Sequence, residues 1–331
     1  MSNLAMTNKV DIRENDILEL DKALLPILLR DNSSKKNILW ATDNYAYLGN
    51  DYQAQQQITE ALITGDNGMV IRPRVSKTKE EQISRVREKA EVFTPSWVCN
   101  AQNNLIDNIW FEREGVFNIE RGKMWESTIK PIAFPSLEGR GWQDYVRDVR
   151  LEITCGEAPY LVSRYDTITG DPIEIKDRIG LLDRKLRVVS ENTSSKEEWL
   201  LWAKVAVQSV YGFEWQGDSL LLARENILYT FVDYYTDKFG EVPPKMDTRE
   251  IAKIISWNLW QMDGLKGVIP NSCRVIQTVS QELFGGNSLQ EQMCEGCVKG
   301  DIHRHNGIYC KIKNWATGGV VKYVSLIQKH L

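Results

Sequence analysis

Hydrophobic residues recur at helical spacing through most of the first 110 residues. The apolar positions between residues 12 and 29 fit the 3.6-residue period, and a polar break follows at residues 31–34. A second helix is predicted from the aromatic group that starts at Trp40 through Leu62, with more helices at residues 79–90 and 95–110. Residues 112–141 contain prolines and glycines at turn positions and are predicted to be rich in loops.

From Trp142 onwards, short apolar runs alternate with helical patterns. Strands are predicted at residues 149–153 and 210–214, and an alternating strand at 308–315. Helices are predicted between and after the first two strands. Strands that alternate with helices in this way are typical of an α/β domain with a parallel sheet. The helical patterns cover residues 178–189, 197–210 and 217–228.

The first predicted strand ends in a turn that suits a bound ligand. The sequence LEITCGEAPYL, residues 151–161, passes from the strand to Cys155-Gly156 and then into a second apolar run, which is predicted to continue as a helix. A small residue at the end of a strand lets the backbone approach a nucleoside. The segment resembles the DPACGSGxFL cofactor loop of the DNA amino-methyltransferases, with Glu152 in place of the acid and Ala158 in place of the second glycine.

A second match to the same enzymes lies upstream. Residues 91–98, EVFTPSWV, resemble their V-F-T-P-x-x-[VL]-V segment. The resemblance implies that Phe93 and Thr94 contact the methionine end of the cofactor. Pro95 at the first turn of a helix, with Thr94 as its N-cap, is also favourable helix-start chemistry.

Two acids occupy the places where the family binds the nucleoside. Glu214, with Trp215 beside it, ends the second predicted strand, where a carboxylate can accept both ribose hydroxyls. Residues 251–265 resemble the third family motif, which implies that Asp263 accepts a hydrogen bond from the adenine amino group. Beside Gly264, Asp263 also fits a solvated turn. Asp218 is predicted to cap the helix after the second strand.

The resemblance spans residues 85–265 and implies a Rossmann-like, S-adenosylmethionine-dependent methyltransferase fold. It implies a DNA adenine methyltransferase-like protein of a restriction–modification or phage-defence system. DNA is then the expected partner, together with a partner subunit that supplies target recognition. We expect an N-terminal helical lobe (1–90), a cofactor-binding core (91–270) and a small zinc-ribbon-like extension that carries the last strand (271–331).

The catalytic [DNS]-P-P-[YFW] motif of the family is absent from the sequence. Its nearest substitute is Asn314-Trp315, where Asn314 would accept the target amine and Trp315 would stack on a flipped base. The alternative is a strand end with an ordinary buried tryptophan. The missing motif leaves two further hypotheses open: a catalytically silent cofactor-binding pseudomethyltransferase subunit, and a nucleic-acid-binding or assembly module without cofactor.

Metal-ligand residues are concentrated near the C-terminal end. Within seventeen residues lie Cys294, Cys297, His303, His305 and Cys310, which are three of the six cysteines and two of the three histidines in the chain. Thiolates and imidazoles at such spacing can close a tetrahedral zinc site, formed by the three cysteines and one histidine. The alternatives are free buried thiols or a redox pair of Cys294 and Cys297.

Composition adds only a few constraints. The hydrophobic fraction of 42% is sufficient for a substantial core, and the cysteines do not form the dense pattern of a disulfide scaffold. No run of eighteen apolar residues and no signal peptide is present, so a cytoplasmic location without membrane contact is expected. The net charge of −4 gives no overall attraction to nucleic acid. The basic residues between Arg72 and Lys89 are either a DNA-contacting patch or a solvated helix.

Overall fold

Helices enclose a small parallel sheet in the structure, which is a computed structural model and describes residues 10–89, 94–281 and 287–327. The described part is a mixed α/β protein. Its helices are α1 (Glu14–Leu20), α2 (Leu24–Leu29), α3 (Glu60–Ile63), α4 (Lys79–Lys89), α5 (Ser96–Phe111), α6 (Trp142–Arg147), α7 (Leu181–Asn192), α8 (Lys196–Gln208), α9 (Gly217–Phe239), α10 (Lys245–Asn258) and α11 (Glu295–Lys299).

The strands form one parallel sheet and three antiparallel pairs, and their bounds are β1 (Asn118–Arg121), β2 (Met124–Ser127), β3 (Arg150–Ile153), β4 (Val210–Glu214), β5 (Leu259–Gln261), β6 (Ile276–Gln281), β7 (Asn287–Gln292), β8 (Lys311–Lys313) and β9 (Val320–Lys322). The parallel sheet has the order β3-β4-β5, and β1-β2, β6-β7 and β8-β9 are the antiparallel pairs. Helices α7 and α8 connect β3 to β4, and α9 and α10 connect β4 to β5. The carboxyl ends of β3, β4 and β5 therefore lie at one edge of the sheet.

The main core packs around helix α9, in which every residue from Gly217 to Tyr235 is buried. The same core extends from Ile12 to Leu259, so the N-terminal segment packs together with the later helices. Arg224 of α9 connects the N-terminal segment with β5 by hydrogen bonds. Its fully buried guanidinium donates to the carbonyl oxygens of Leu28 and Leu259.

A second, smaller core lies against β4 and β5. Phe213 and Trp260 occupy paired positions on these strands, with ring centroids 5.8 Å apart. Tyr323, which follows β9, packs on both rings, and Cys310 is fully buried in the same cluster. The C-terminal part of the chain therefore covers part of the parallel sheet.

Two predicted helices are wrong. Between Trp40 and Leu62 the chain makes short turns, because Gly49 has a φ of 135° and the Trp40 ring folds against Tyr52, with centroids 5.4 Å apart. The α-helix in this stretch is the four-residue α3. The apolar run after Gly156 also forms turns, because Ala158 takes a left-handed φ of 64°, and the next α-helix begins only at Leu181.

The other helix predictions are mostly confirmed, at α4, α5, α7, α8 and α9. The hairpin β1-β2 lies in the segment that was predicted to contain loops. Its turn contains Gly122, whose φ of 68° is the left-handed conformation that glycine adopts without strain. Within the described ranges, none of the helices combines the length and the apolar character that crossing a membrane would require.

Candidate functional site

The turn after β3 has an unusual backbone. Thr154, Gly156 and Ala158 alternate in the left-handed region, with φ values of 49°, 53° and 64°. For residues other than glycine this conformation costs about 1–3 kcal/mol each, and such strain is concentrated at binding sites. A side-chain carbon added to Gly156 would meet no atom within 4 Å, so open space lies above the turn. The turn therefore presents exposed backbone at the carboxyl edge of the sheet.

Glu214 connects this turn to the next strand. It ends β4, and its Oε2 accepts the backbone N–H of Gly156 at 2.9 Å. Its Oε1 accepts the N–H groups of Trp215 and Gln216 at 2.9 and 3.2 Å. Burial raises the pKa of the Glu214 carboxyl. A carboxylate has about four acceptor positions, so about one remains for a ribose hydroxyl instead of the two that the family resemblance implies.

The side chains of Glu152 and Cys155 are buried on the core side of the turn. The buried Glu152 carboxylate accepts the N–H groups of Tyr160 and Leu161, and burial raises the pKa of this carboxyl to about 8. The Cys155 side chain is buried in the core beneath Gly212. Glu152 therefore shapes the turn, and Cys155 offers only its backbone to a ligand.

Asp263 lies just beyond the carboxyl end of β5. Its Oδ1 accepts the N–H groups of Leu265 and Lys266, and its Oδ2 lies 3.2 Å from Nζ of Lys266. These contacts are those of a turn acid, the alternative that the sequence left open. Trp260 and Met262 are buried in the second core and contact each other, so they do not line an open nucleoside site.

The upstream segment lies beside the same turn. The Thr94 side chain interacts with Tyr160, and Asn103 of α5 donates to the Tyr160 carbonyl oxygen at 3.0 Å. Helix α5 begins at Ser96 with Pro95 as the N-cap residue, so Thr94 does not cap it. Phe93 lies outside the described residues. The Trp215 indole N–H donates to the carbonyl oxygen of Ala41.

Asn314 and Trp315 lie at the opposite end of the sheet. The Trp315 indole donates to Oδ1 of Asn258 at 2.7 Å, and Asn258 directly precedes β5. The Asn314 carboxamide oxygen accepts the N–H groups of Ala316 and Thr317 in a turn after β8. The structure therefore does not bring the predicted catalytic pair to the carboxyl edge, where the predicted cofactor-binding residues Gly156 and Glu214 lie.

Four metal-ligand side chains converge in the C-terminal part: Cys273, Cys294, Cys297 and His305. Each of the three sulfur atoms lies 3.6 Å from Nδ1 of His305. In a tetrahedral site with zinc–sulfur bonds of about 2.3 Å and zinc–nitrogen bonds of about 2.1 Å, sulfur and nitrogen are also about 3.6 Å apart. This cluster, the Cys3His cluster, could therefore bind zinc.

Of the five predicted ligand residues, the cluster includes three, Cys294, Cys297 and His305, and does not include the other two. Cys310 is buried in the second core, where its thiol donates to the carbonyl oxygen of Gln261. His303 is not in the cluster. Cys273 takes the fourth position, and because it lies 21 residues before Cys294, the local spacing of cysteines and histidines did not indicate it. The pair β6-β7 spans this interval and returns the chain to the cluster.

Local contacts shape the Cys3His cluster. A side-chain carbon at Gly296 would come within 2.7 Å of the His305 ring nitrogen, so this position requires glycine. The Tyr309 hydroxyl accepts the N–H of His305 at 2.8 Å. Burial opposes the ionisation of Cys294, but hydrogen bonds from the backbone of Asn306 and Cys297 lower the pKa of its thiol to about 6. Thiolate is the form that binds metal.

Three of the basic side chains in the segment that starts at Arg72 are held in ion pairs. Arg72 pairs with Glu81 at 3.3 Å, and Lys77 and Arg85 are buried against Asp218. Burial alone would raise the pKa of Asp218, but the charges of Arg85 and Lys77 hold it well below its usual range. Asp218 is therefore an ion-pair partner and not the N-cap of α9, which is Gln216.

The chain offers two candidate sites, the carboxyl edge of the parallel sheet and the Cys3His cluster. No family model, no curated protein and no solved structure matches this chain, so its function has to be inferred from the geometry of these residues.

Proposed function

We propose that this chain binds S-adenosylmethionine, or a nucleoside of the same type, at the carboxyl edge of β3, β4 and β5, as a methyltransferase-like protein. One observation carries the proposal: the Glu214 carboxylate, at the end of the middle strand, holds the Gly156 N–H beneath open space. Ligands of parallel α/β sheets bind at the carboxyl ends of the strands, next to such a turn.

The charges at this edge favour a nucleoside without phosphates. Glu152, Glu214 and Asp263 are carboxyl groups at or next to the strand ends, and the Lys266 ammonium is held by Asp263. Burial raises the pKa of Glu152 and Glu214, but a carboxyl oxygen accepts a hydrogen bond from a ribose hydroxyl in either protonation state, and the Lys266 ammonium, already neutralised by Asp263, attracts a phosphate only weakly. The edge therefore suits S-adenosylmethionine better than a dinucleotide.

Within this proposal, the structure favours the catalytically silent version. The Asn314-Trp315 pair was the substitute for the missing amine-binding motif, and Trp315 lies at the amino end of β5. Methyl transfer would then depend on groups other than this pair. Cofactor binding by Glu214 and the Gly156 turn does not depend on it.

Calorimetry on the full chain tests the proposal. S-adenosylmethionine and S-adenosylhomocysteine should both bind, and Glu214→Ala should weaken binding by about 1.5–3 kcal/mol because a charged acceptor is lost. Glu138→Ala, which removes an exposed carboxylate, is the matched control. Circular dichroism would show that the variants are folded. If folded wild-type protein shows no heat of binding at millimolar cofactor, the proposal fails.

We also propose that the Cys3His cluster is a structural zinc site. All four coordination positions are supplied by side chains, and a closed site of this kind has no open position for a water or substrate. Cys273 precedes β6 and Cys294 follows β7, so the metal would join the two ends of this hairpin.

A further inference from the structure

A groove opens at the amino ends of β4 and β5, on the side of the sheet away from the Gly156 turn. Its volume is about 620 Å³. Gln208, two residues before β4, and Trp257, two residues before β5, line it and place it there. The lining combines two tryptophans with basic side chains. We call it the tryptophan groove, and its main lining residues are Trp257, Trp315, Arg30, Lys253 and Lys313.

Positive charge in the tryptophan groove is largely unneutralised. Lys204 and Glu250 also line it, but they form an ion pair of 2.6 Å with each other, and Lys204 binds Asp247 at 2.9 Å as well. In the described ranges, no carboxylate lies within ion-pair distance of Arg30, Lys253 or Lys313. The chain as a whole has a net charge of −4, so the positive charge of the groove is opposite in sign to that of the whole chain.

The two indole rings are partly exposed, and that of Trp315 is held in place. The Trp315 N–H is fixed by its hydrogen bond to Asn258, and both rings are half-buried. Nζ of Lys313 lies 4.4 Å from the Trp315 ring centroid, and Nζ of Lys35 lies 5.2 Å from that of Trp257. An exposed cation–π contact contributes about 0.5–1 kcal/mol. A stacked nucleobase contributes about 1–3 kcal/mol, so a base would displace the lysine and free its ammonium for a phosphate.

We propose that the tryptophan groove binds a nucleotide unit, with the phosphate on Arg30, Lys253 and Lys313 and the base on Trp257 or Trp315. Single-stranded nucleic acid and free nucleotides share this chemistry. The proposal does not rest on the cofactor site, because the groove lies at the amino ends of β4 and β5, whereas Gly156 and Glu214 lie at the carboxyl ends of β3 and β4.

Fluorescence anisotropy with the full chain and a fluorescein-labelled ten-nucleotide oligothymidylate tests the proposal. The double variant Lys253→Glu/Lys313→Glu should bind at least ten-fold more weakly. It should also reduce the slope of log affinity against log salt by about 1.4, since each phosphate contact on a single strand contributes about 0.7. Lys123→Glu, which changes an exposed lysine in the β1-β2 turn, is the matched control and should bind like wild type.

Aromatic variants separate stacking from charge. Trp257→Ala should weaken binding five-fold or more, and Trp257→Phe should restore most of the affinity because a ring remains. Competition by ATP at micromolar concentration would assign the groove to free nucleotides, and its failure to compete would assign it to a single strand. Equal competition by inorganic phosphate, equally tight binding of duplex DNA, or unchanged affinity of the folded lysine variant would overturn the proposal.

Discussion

The backbone N–H of Gly156 donates a hydrogen bond of 2.9 Å to Oε2 of Glu214, which joins the turn after β3 to the end of β4. Two further backbone N–H groups bind the other oxygen of the same side chain. One carboxylate thus satisfies three donors at the carboxyl edge of the sheet. The contact has a structural role whether or not a ligand is bound.

Replacing this carboxylate by an amide should destabilise the fold. In Glu214→Gln, a single oxygen remains as acceptor and the NH2 group faces at least one of the N–H donors. We expect a loss of about 1–3 kcal/mol in the free energy of unfolding, because a buried donor is left unsatisfied. Urea denaturation would measure it. Glu138→Gln, at an exposed position, should change stability by less than about 0.5 kcal/mol. Equal stabilities of the two variants would contradict this role of Glu214.

The sequence predicted two of the three parallel strands, β3 and β4, and most of the helices, because their periodicity is local; the three-residue β5 is too short to show one. It could not predict the conformation of the turn after Gly156 or the hydrogen bonds of Glu214. The left-handed φ of Ala158 and the partners of Glu214 depend on contacts between segments that are distant along the chain. The same limit applies to the metal site. Cys294 and Cys297 are close along the chain, whereas Cys273 is brought in by the β6-β7 pair.

Metal binding should distinguish the two neighbouring histidines. We expect about one zinc per chain in purified protein by elemental analysis. His305→Ala should lose the metal, because Nδ1 of His305 is equidistant from the three sulfur atoms. His303→Ala is the matched control and should keep it, as should Cys310→Ala. Zinc retained in a folded Cys273→Ser variant at wild-type stoichiometry would show that the proposed ligand set is incorrect.

Stability should fall as the pH rises, because of a buried carboxyl group. Burial, reinforced by the charge of Asp11, raises the pKa of Glu14 to about 8. Neither of its carboxyl oxygens has a hydrogen-bond partner in the described structure. A carboxyl whose pKa is raised on folding stabilises the protein fully below its unfolded pKa of about 4.5, and this contribution is lost as the pH rises towards 8.

Glu14→Gln should remove the contribution of this side chain to the pH dependence, because the amide does not ionise. Between pH 5 and pH 9, wild-type protein should lose on the order of 3 kcal/mol more unfolding free energy than the variant. Urea denaturation at several pH values would measure both slopes. Glu19→Gln serves as control, since this exposed carboxyl on the same helix should leave the slope unchanged. Parallel slopes for wild type and Glu14→Gln would mean that the Glu14 carboxyl does not control this pH dependence.

Arg224 should be required for the packing of the N-terminal segment on the sheet. Its guanidinium binds carbonyl oxygens near the ends of α2 and α10 and at the start of β5, and these include Leu28, Ser256 and Leu259. The last carbonyls of a helix have no partner within the helix, so the arginine replaces water that cannot reach them. Against this gain stands the cost of burying the charge, which lowers the pKa of Arg224 to about 10.

Arg224→Met decides which effect is larger. The variant keeps an unbranched apolar side chain and removes the buried charge, but it leaves several buried carbonyl groups without a donor. At about 1–3 kcal/mol for each unsatisfied group, the loss should exceed the gain, and we expect a net destabilisation of about 2–5 kcal/mol by urea denaturation. Hydrogen exchange should show the largest increase in residues 24–30, because these contact α9 through the arginine. A variant as stable as wild type would mean that the charge costs as much as its hydrogen bonds contribute.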